Sequence, residues 1–260
     1  WNVGNGLEVG YLMGWFAFTA VTVWFVVRRE PLPAMRDRSR SVQALRSYRE
    51  WPMVNTWPAL VNALASGMAT FYMASYFDPD TAGQHNFVRQ YVLVPISMIT
   101  VALAQVLFVR TSERVREGQP LGPELMRVLR MLVLAALALI AVLVFFGEPL
   151  FRWVFGPQWG FAGTAGRVLV WGYAAQLVGS PFGVVLLSLR KVRTTVLFPL
   201  LFLALLLVLP TFKTLPPLSF MAALAAVEVA AYTAHVVIVF RVVGRYDRTL
   251  VPVRSPNSSA

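Results

Sequence analysis

Seven stretches of the chain are continuously apolar over the length that crosses a bilayer: residues 11–27, 52–77, 86–109, 125–146, 162–189, 195–212 and 218–240. A helix rises ~1.5 Å per residue, so about 20 apolar residues span the hydrocarbon core. A membrane barrel would need alternating strands of roughly ten residues. These runs are long and do not alternate, which predicts an all-α integral membrane protein with seven transmembrane helices. Residues 36–50 are basic and mildly amphipathic, and read either as a helix lying on headgroups or as a solvated linker. Residues 148–159 are aromatic and interrupted by Gly156-Pro157, which predicts a broken segment at the outer interface. The last residues, 255–260, are polar and predicted to be disordered.

Composition strengthens this reading. Of 260 residues 57% are hydrophobic and 13% charged, and mean hydropathy is +0.62. A soluble domain carries about 25% charged residues, so a water-soluble globule and a disordered chain are excluded. The net charge of +11 belongs to membrane loops rather than to a nucleic-acid surface. Cysteine is absent, which removes disulfides, thiolate metal sites and thiol nucleophiles. Arginine dominates lysine 21 to 2, a usage that fits a GC-rich bacterial genome. The chain opens Trp1-Asn2-Val3 and is expected to be part of a longer protein.

Charge also sets the expected orientation. Residues 28–50 hold seven Arg, 110–130 five, 190–193 three basic residues and 241–254 four, all in loops on one side of a seven-span alternation. The other side holds only Arg152 and Lys213, while Arg89 and Arg167 fall inside spans. Positive loops stay cytoplasmic, so the N-terminus is expected outside and the C-terminus in the cytoplasm.

Ionisable groups inside a span are costly and generally functional. Arg89 and Arg167 lie at similar depth in the third and fifth spans, and fit either a cationic site for an anionic headgroup or snorkelling to the interface. Glu228, Tyr232 and His235 share one face of the last span at i, i+4 and i+7. They fit a proton-coupling stripe, or a neutral Glu packed on a neighbour. Asn55, Asn62, Ser66 and Thr70 form a polar stripe in the second span, and Gln90, Ser97 and Gln105 one in the third. Such stripes face protein or a water-filled path, not lipid. Gly172, Gln176, Gly179 and Gly183 form a small-residue face in the fifth span, suited to close helix approach. No metal-ligand cluster, phosphate loop or catalytic carboxylate pair occurs, so no enzyme, metal site or cofactor is expected.

Several motifs in order resemble those of polysaccharide biosynthesis (O-antigen, Wzx-like) flippases, relatives of the MATE exporters within the MOP superfamily. They are Tyr48-Arg49-Glu50-Trp51-Pro52 with Asn62 and Ser66; Tyr76-Phe77-Asp78-Pro79-Asp80-Thr81-Ala82-Gly83; Pro95-Ile96-Ser97 with Gln105; and Leu150-Phe151 through Phe155-Gly156-Pro157-Gln158-Trp159, Ala162-Gly163, Arg167-Val168-Leu169 and Ser180-Pro181. The likeness covers roughly residues 7–245. The family often has Tyr-Arg where Arg89-Gln90 stands, which moves Arg89 about 100° around its helix, whereas Arg167 falls in register.

The resemblance implies a two-lobe, twelve-helix transporter. Residues 1–29 would be the last helix of the first lobe, 30–50 a basic cytoplasmic linker, 51–243 the six-helix C-terminal lobe and 244–260 a cytoplasmic tail. It implies flipping of an undecaprenyl-pyrophosphate-linked oligosaccharide across the bacterial inner membrane. The partners would be that lipid-linked glycan, membrane lipids and the N-terminal lobe of the same protein, with no nucleic acid and no cofactor. Arg167, Arg89, Asn62, Ser66, Ser97 and Gln105 would line the substrate cavity, and Glu228, Tyr232 and His235 would couple an ion. A cation-coupled MATE-type exporter, or a membrane glycosyltransferase or polymerase of the same pathway, are the competing readings. The charge asymmetry generates a direct test: reporter fusions at Gly83 and Pro216 should read periplasmic, and fusions at Gly118 and Arg248 cytoplasmic. Reversal at any two sites defeats the seven-span assignment.

Overall fold

A computed structural model describes residues 3–29 and 50–250. Among them there is no strand. The helices are α1 (Val3–Arg29), α2 (Glu50–Tyr76), α3 (Pro79–Val88), α4 (Val94–Arg116), α5 (Gly122–Phe155), α6 (Gly160–Gly179), α7 (Gly183–Ser188), α8 (Val192–Thr195), α9 (Leu197–Leu206) and α10 (Pro217–Leu250). Every apolar run falls on helix. Four continuous segments, Pro79–Arg116, Gly122–Phe155, Pro157–Ser188 and Pro217–Leu250, are long and apolar enough to cross a bilayer, and Leu12–Phe25 and Leu197–Phe212 are shorter apolar helices. The chain is an all-α membrane protein. The expected linker helix up to residue 49 and the tail at 255–260 lie outside the described residues.

Two compact units are present, Trp1–Met53 and Val54–Ala260. In the first, α1 is apolar on every side, with Phe16 76% exposed. Its hydroxyls satisfy themselves within the helix: Thr19 donates to the Trp15 carbonyl and Thr22 to that of Phe18, each at 2.8 Å. A helix apolar all round suits lipid or protein surroundings, not water.

In the second unit α6 is the central helix and packs most extensively on α5 and α10. Small residues make this possible. A Cβ on Gly163 would stand 2.5 Å from the Gly147 carbonyl oxygen and 2.5 Å from the Glu148 Cα, so α5 and α6 touch backbone to backbone. Pro149 sits inside α5, whose helix continues past it to Phe155 and ends at Gly156 with φ 102°. The segment 148–159 is helical up to Phe155 and breaks at Gly156-Pro157 as its sequence predicts, with a short 3-10 turn at Pro157–Trp159. A proline removes only one helical hydrogen bond, and here Arg152 bonds Glu148 at 2.8 Å across that turn.

At each end of the unit a polar side chain bridges to the backbone of other elements. At one end Gln84 donates to the Gln158 carbonyl (2.9 Å) and accepts from the Ala162 N–H (3.1 Å). At the opposite, basic end Asp247 accepts from the N–H groups of Leu121 (2.9 Å) and Gly122 (2.8 Å), capping α5 from a distant helix. α10 itself runs on to Leu250, beyond Asp247. The expected turn at 78–83 is also shorter than its sequence suggests. Asp78 caps α3 by accepting from the Thr81 amide (2.9 Å) and hydroxyl (2.6 Å), and Pro79 already occupies the first helical position. Those bonds from Thr81 hold the Asp78 carboxyl below its ordinary range.

The backbone contact between α5 and α6 carries a stability prediction. Gly163→Ala forces the two helices apart, and overpacking of this kind costs roughly 1–3 kcal/mol. The variant should melt well below wild type in detergent. Gly67→Ala and Gly83→Ala, where an added methyl meets nothing within 4 Å, should melt like wild type. Equal melting of all three would mean that the contact is not a constraint.

Candidate functional site

The site begins with an irregularity in one helix. Pro95 has no N–H to give the Tyr91 carbonyl, and its ring crowds that carbonyl. Residues Arg89–Leu93 form a π-helical turn just ahead of it, in which Val94 N–H reaches back to the Arg89 carbonyl. A π turn holds one residue more than an α turn. It rotates the helix before it by about 100° relative to the helix after it. Arg89 thus comes onto the face of Ser97, within about 20° around the axis, where a regular helix would set it about 80° away. Gln90 is exposed.

That face forms one wall of a cavity of about 390 Å³ inside the second unit. The opposite wall is α10, with Glu228, Tyr232 and His235. Tyr173 and Gln176 of α6 and Ser180 contribute further polar groups, and Phe198 and Phe202 of α9 an aromatic side. His85, one helical turn before Arg89, also lines it. Arg89 lies within electrostatic range of His85, Tyr173 and Glu228.

The polar stripe of α10 has room because it faces glycines. A Cβ on Gly172 would collide with the Glu228 carboxyl. One on Gly179 would come 2.9 Å from the Tyr232 ring, and one on Gly183 would stand 3.5 Å from His235 Nε2. From the other side Phe198 packs on His235 (4.5 Å between ring centroids) and on Tyr232 (5.0 Å). His85, Glu228 and His235 are only 1%, 7% and 4% exposed. Glu228 Oε2 and His85 Nδ1 are buried with no hydrogen-bond partner in the protein. A buried polar atom without a partner is costly. These two line the cavity, so the donors and acceptors they need are best supplied from within it.

Of the residues singled out from sequence, Arg89, Ser97, Glu228, Tyr232 and His235 come together here. Arg167 does not line the cavity. It lies on the side of α6 turned to α5, where its Cγ would be 3.3 Å from a Cβ on Gly147, and its Nε is buried without a partner. Gln105 is exposed on α4. Asn62 and Ser66 sit on α2, but their side chains lie outside the described residues, as does that of Asn55. Thr70, the last member of that stripe, is half-buried, and its hydroxyl has no partner. Sequence reasoning missed His85, Tyr173 and Thr100. His85 was readable as the i−4 neighbour of Arg89, but only once residues 79–88 were known to be helix.

A family model described as polysaccharide biosynthesis protein matches residues 9–162. No curated protein and no solved structure matches the chain. The matched region includes the Arg89 wall of the cavity and ends before the glycines and α10.

A polar cavity among membrane helices should hold water. Single cysteines at Ser97 and Ser180 in the full protein should therefore react with a small, membrane-impermeant thiol reagent in opened membranes. Cysteines at Leu134 and Leu207, both exposed on apolar helices, should react several-fold more slowly. Equal rates at all four would mean that the cavity is dry.

Proposed function

The chain belongs to the polysaccharide biosynthesis protein family, and from that premise we propose that it forms the C-terminal part of a transporter that flips a lipid-linked oligosaccharide across the bacterial inner membrane. Family membership and helical architecture place it in polysaccharide biosynthesis or export within a membrane. The step from there to flipping rests mainly on one observation. A cation, Arg89, stands at a π-helical turn and lines a polar cavity inside a lobe built of helices long and apolar enough to cross a bilayer.

A lipid pyrophosphate must lose part of its hydration to cross. A guanidinium replaces that hydration with forked hydrogen bonds, which a lysine does not reproduce. The glycan needs hydroxyl and amide partners, and Ser97, Gln176 and Ser180 offer them. The polyprenyl tail remains in the bilayer, and alternating access moves the head from one leaflet to the other. The N-terminal lobe of the same protein supplies the facing half of the path.

Glu228 supplies the coupling. It faces the same cavity as Arg89, so a proton arriving on its carboxylate strengthens the net positive charge there, and a proton leaving weakens it. Substrate affinity then follows the protonation state, which is what coupling to an ion gradient requires. Arg167, turned toward α5, positions α6 rather than binding substrate.

Export assays in the full-length protein test this at matched membrane levels. A charge-assisted contact is worth about 1.5–3 kcal/mol, so Arg89→Ala should slow surface glycan export by on the order of 10- to 100-fold. Arg89→Lys should recover only part. Glu228→Gln should leave residual export that no longer responds to collapse of the ion gradient. Wild-type export from Arg89→Ala would remove the cation from the mechanism, and with it this reading.

A further inference from the structure

The basic end of α10 carries a second feature, for which the transport cycle has no use. A groove of about 520 Å³ runs along the helix, lined by Val237, Phe240, Arg241, Gly244, Arg245 and Arg248. The three arginines fall at i, i+4 and i+7, which places them on one face. All three are exposed. Gly244 lies between them and leaves the groove open, since a Cβ there would meet nothing within 4 Å.

None of these arginines forms an ion pair with a described residue. The nearby acids are already engaged. Asp247 caps α5, and Glu124 pairs with Arg114 and, at 3.7 Å, with Arg110. Three like charges within two helical turns repel one another, and no ion pair among the described residues offsets that.

One turn deeper, Val237 and Phe240 continue the same groove. Along the helix axis it thus changes from apolar to triply cationic over about 16 Å, the rise of eleven residues. A free anion would use the arginines and gain nothing from an apolar floor. An amphiphile matches both halves.

We propose that this groove is a binding site for an anionic phospholipid of the leaflet at the basic end. Its phosphate is held by the guanidinium fork of Arg245 together with Arg241 or Arg248, and the first carbons of its acyl chains lie on Val237 and Phe240. Arginine suits phosphate through its planar, paired donors, and basic clusters at a helix end attract anionic lipid at the membrane surface. Because Asp247 fixes this end of α10 to α5, a lipid bound here stabilises the packed lobe.

The test uses the full-length protein in a non-ionic detergent, titrated with phosphatidylglycerol, with phosphatidylcholine of the same chains, or with inorganic phosphate. Binding is read by native mass spectrometry and by the melting temperature. Phosphatidylglycerol should bind and raise the melting temperature, whereas the other two should do neither at equal concentration. Arg245→Gln should weaken phosphatidylglycerol binding about fivefold, and R241Q/R245Q/R248Q should abolish the preference over phosphatidylcholine. R127Q/R130Q, at exposed arginines of the same end on α5, should bind as wild type. Lipid-free melting of each variant at the wild-type temperature separates loss of binding from loss of fold. The proposal is overturned by equal binding of the two lipids, by inorganic phosphate matching phosphatidylglycerol, or by wild-type phosphatidylglycerol binding in the triple variant.

Discussion

The lobe depends on how α6 and α7 receive α10. Three polar side chains of α10 are buried inside the lobe, and each meets a position without a side chain: Glu228 at Gly172, Tyr232 at Gly179 and His235 at Gly183. The glycines contribute volume rather than affinity. They let two helices pack closely while a carboxyl, a phenol and an imidazole fit between them. The aromatic side of α9 then closes over the outer edge of this row. Without those gaps the stripe would have to turn toward lipid, where ionisable groups are strongly disfavoured, or the helices would separate and the cavity would lose a wall.

Much of this was legible in the sequence, and unevenly so. Hydrophobic runs located the long apolar helices because bilayer thickness is a coarse ruler. The row Gly172, Gly179, Gly183 and the row Glu228, Tyr232, His235 were each visible as periodic faces, but nothing in the sequence says that two faces meet. Arg89 shows the opposite difficulty. Regular helical spacing puts it about 80° from Ser97, and the π turn ahead of Pro95 brings it to within about 20°. Arg167 looked the better placed of the two because it falls in register with the motif of the family the chain resembles. What directs it to α5 is the closeness of Gly147 and Gly163, a tertiary fact.

The same distinction applies at the helix ends. Residues 148–155 carry a proline, a turn-forming neighbourhood and many aromatics, and yet stay helical, because packing against α6 outweighs one missing hydrogen bond. Residues 79–83 carry Pro, Asp and Gly and read as a loop, yet Asp78 and Pro79 are together a good helix start. In both places local propensity was a weak guide and the capping or packing partner decided the outcome. The two ends also differ in kind. Gln84 works through neutral hydrogen bonds to backbone, whereas Asp247 brings a charge to the positive end of the α5 dipole.

The Asp247 cap has a consequence in time. The Leu121 and Gly122 amides precede their acceptor by 126 and 125 residues in the chain. At roughly 5–20 residues per second of synthesis, α5 exists for on the order of ten seconds before its cap is made. For that interval the first turn of a long membrane helix relies on water or headgroups at the interface for its hydrogen bonds. The first turn of α5 is closed only once α10 has been made, so a chain that stalls before α10 keeps that end uncapped.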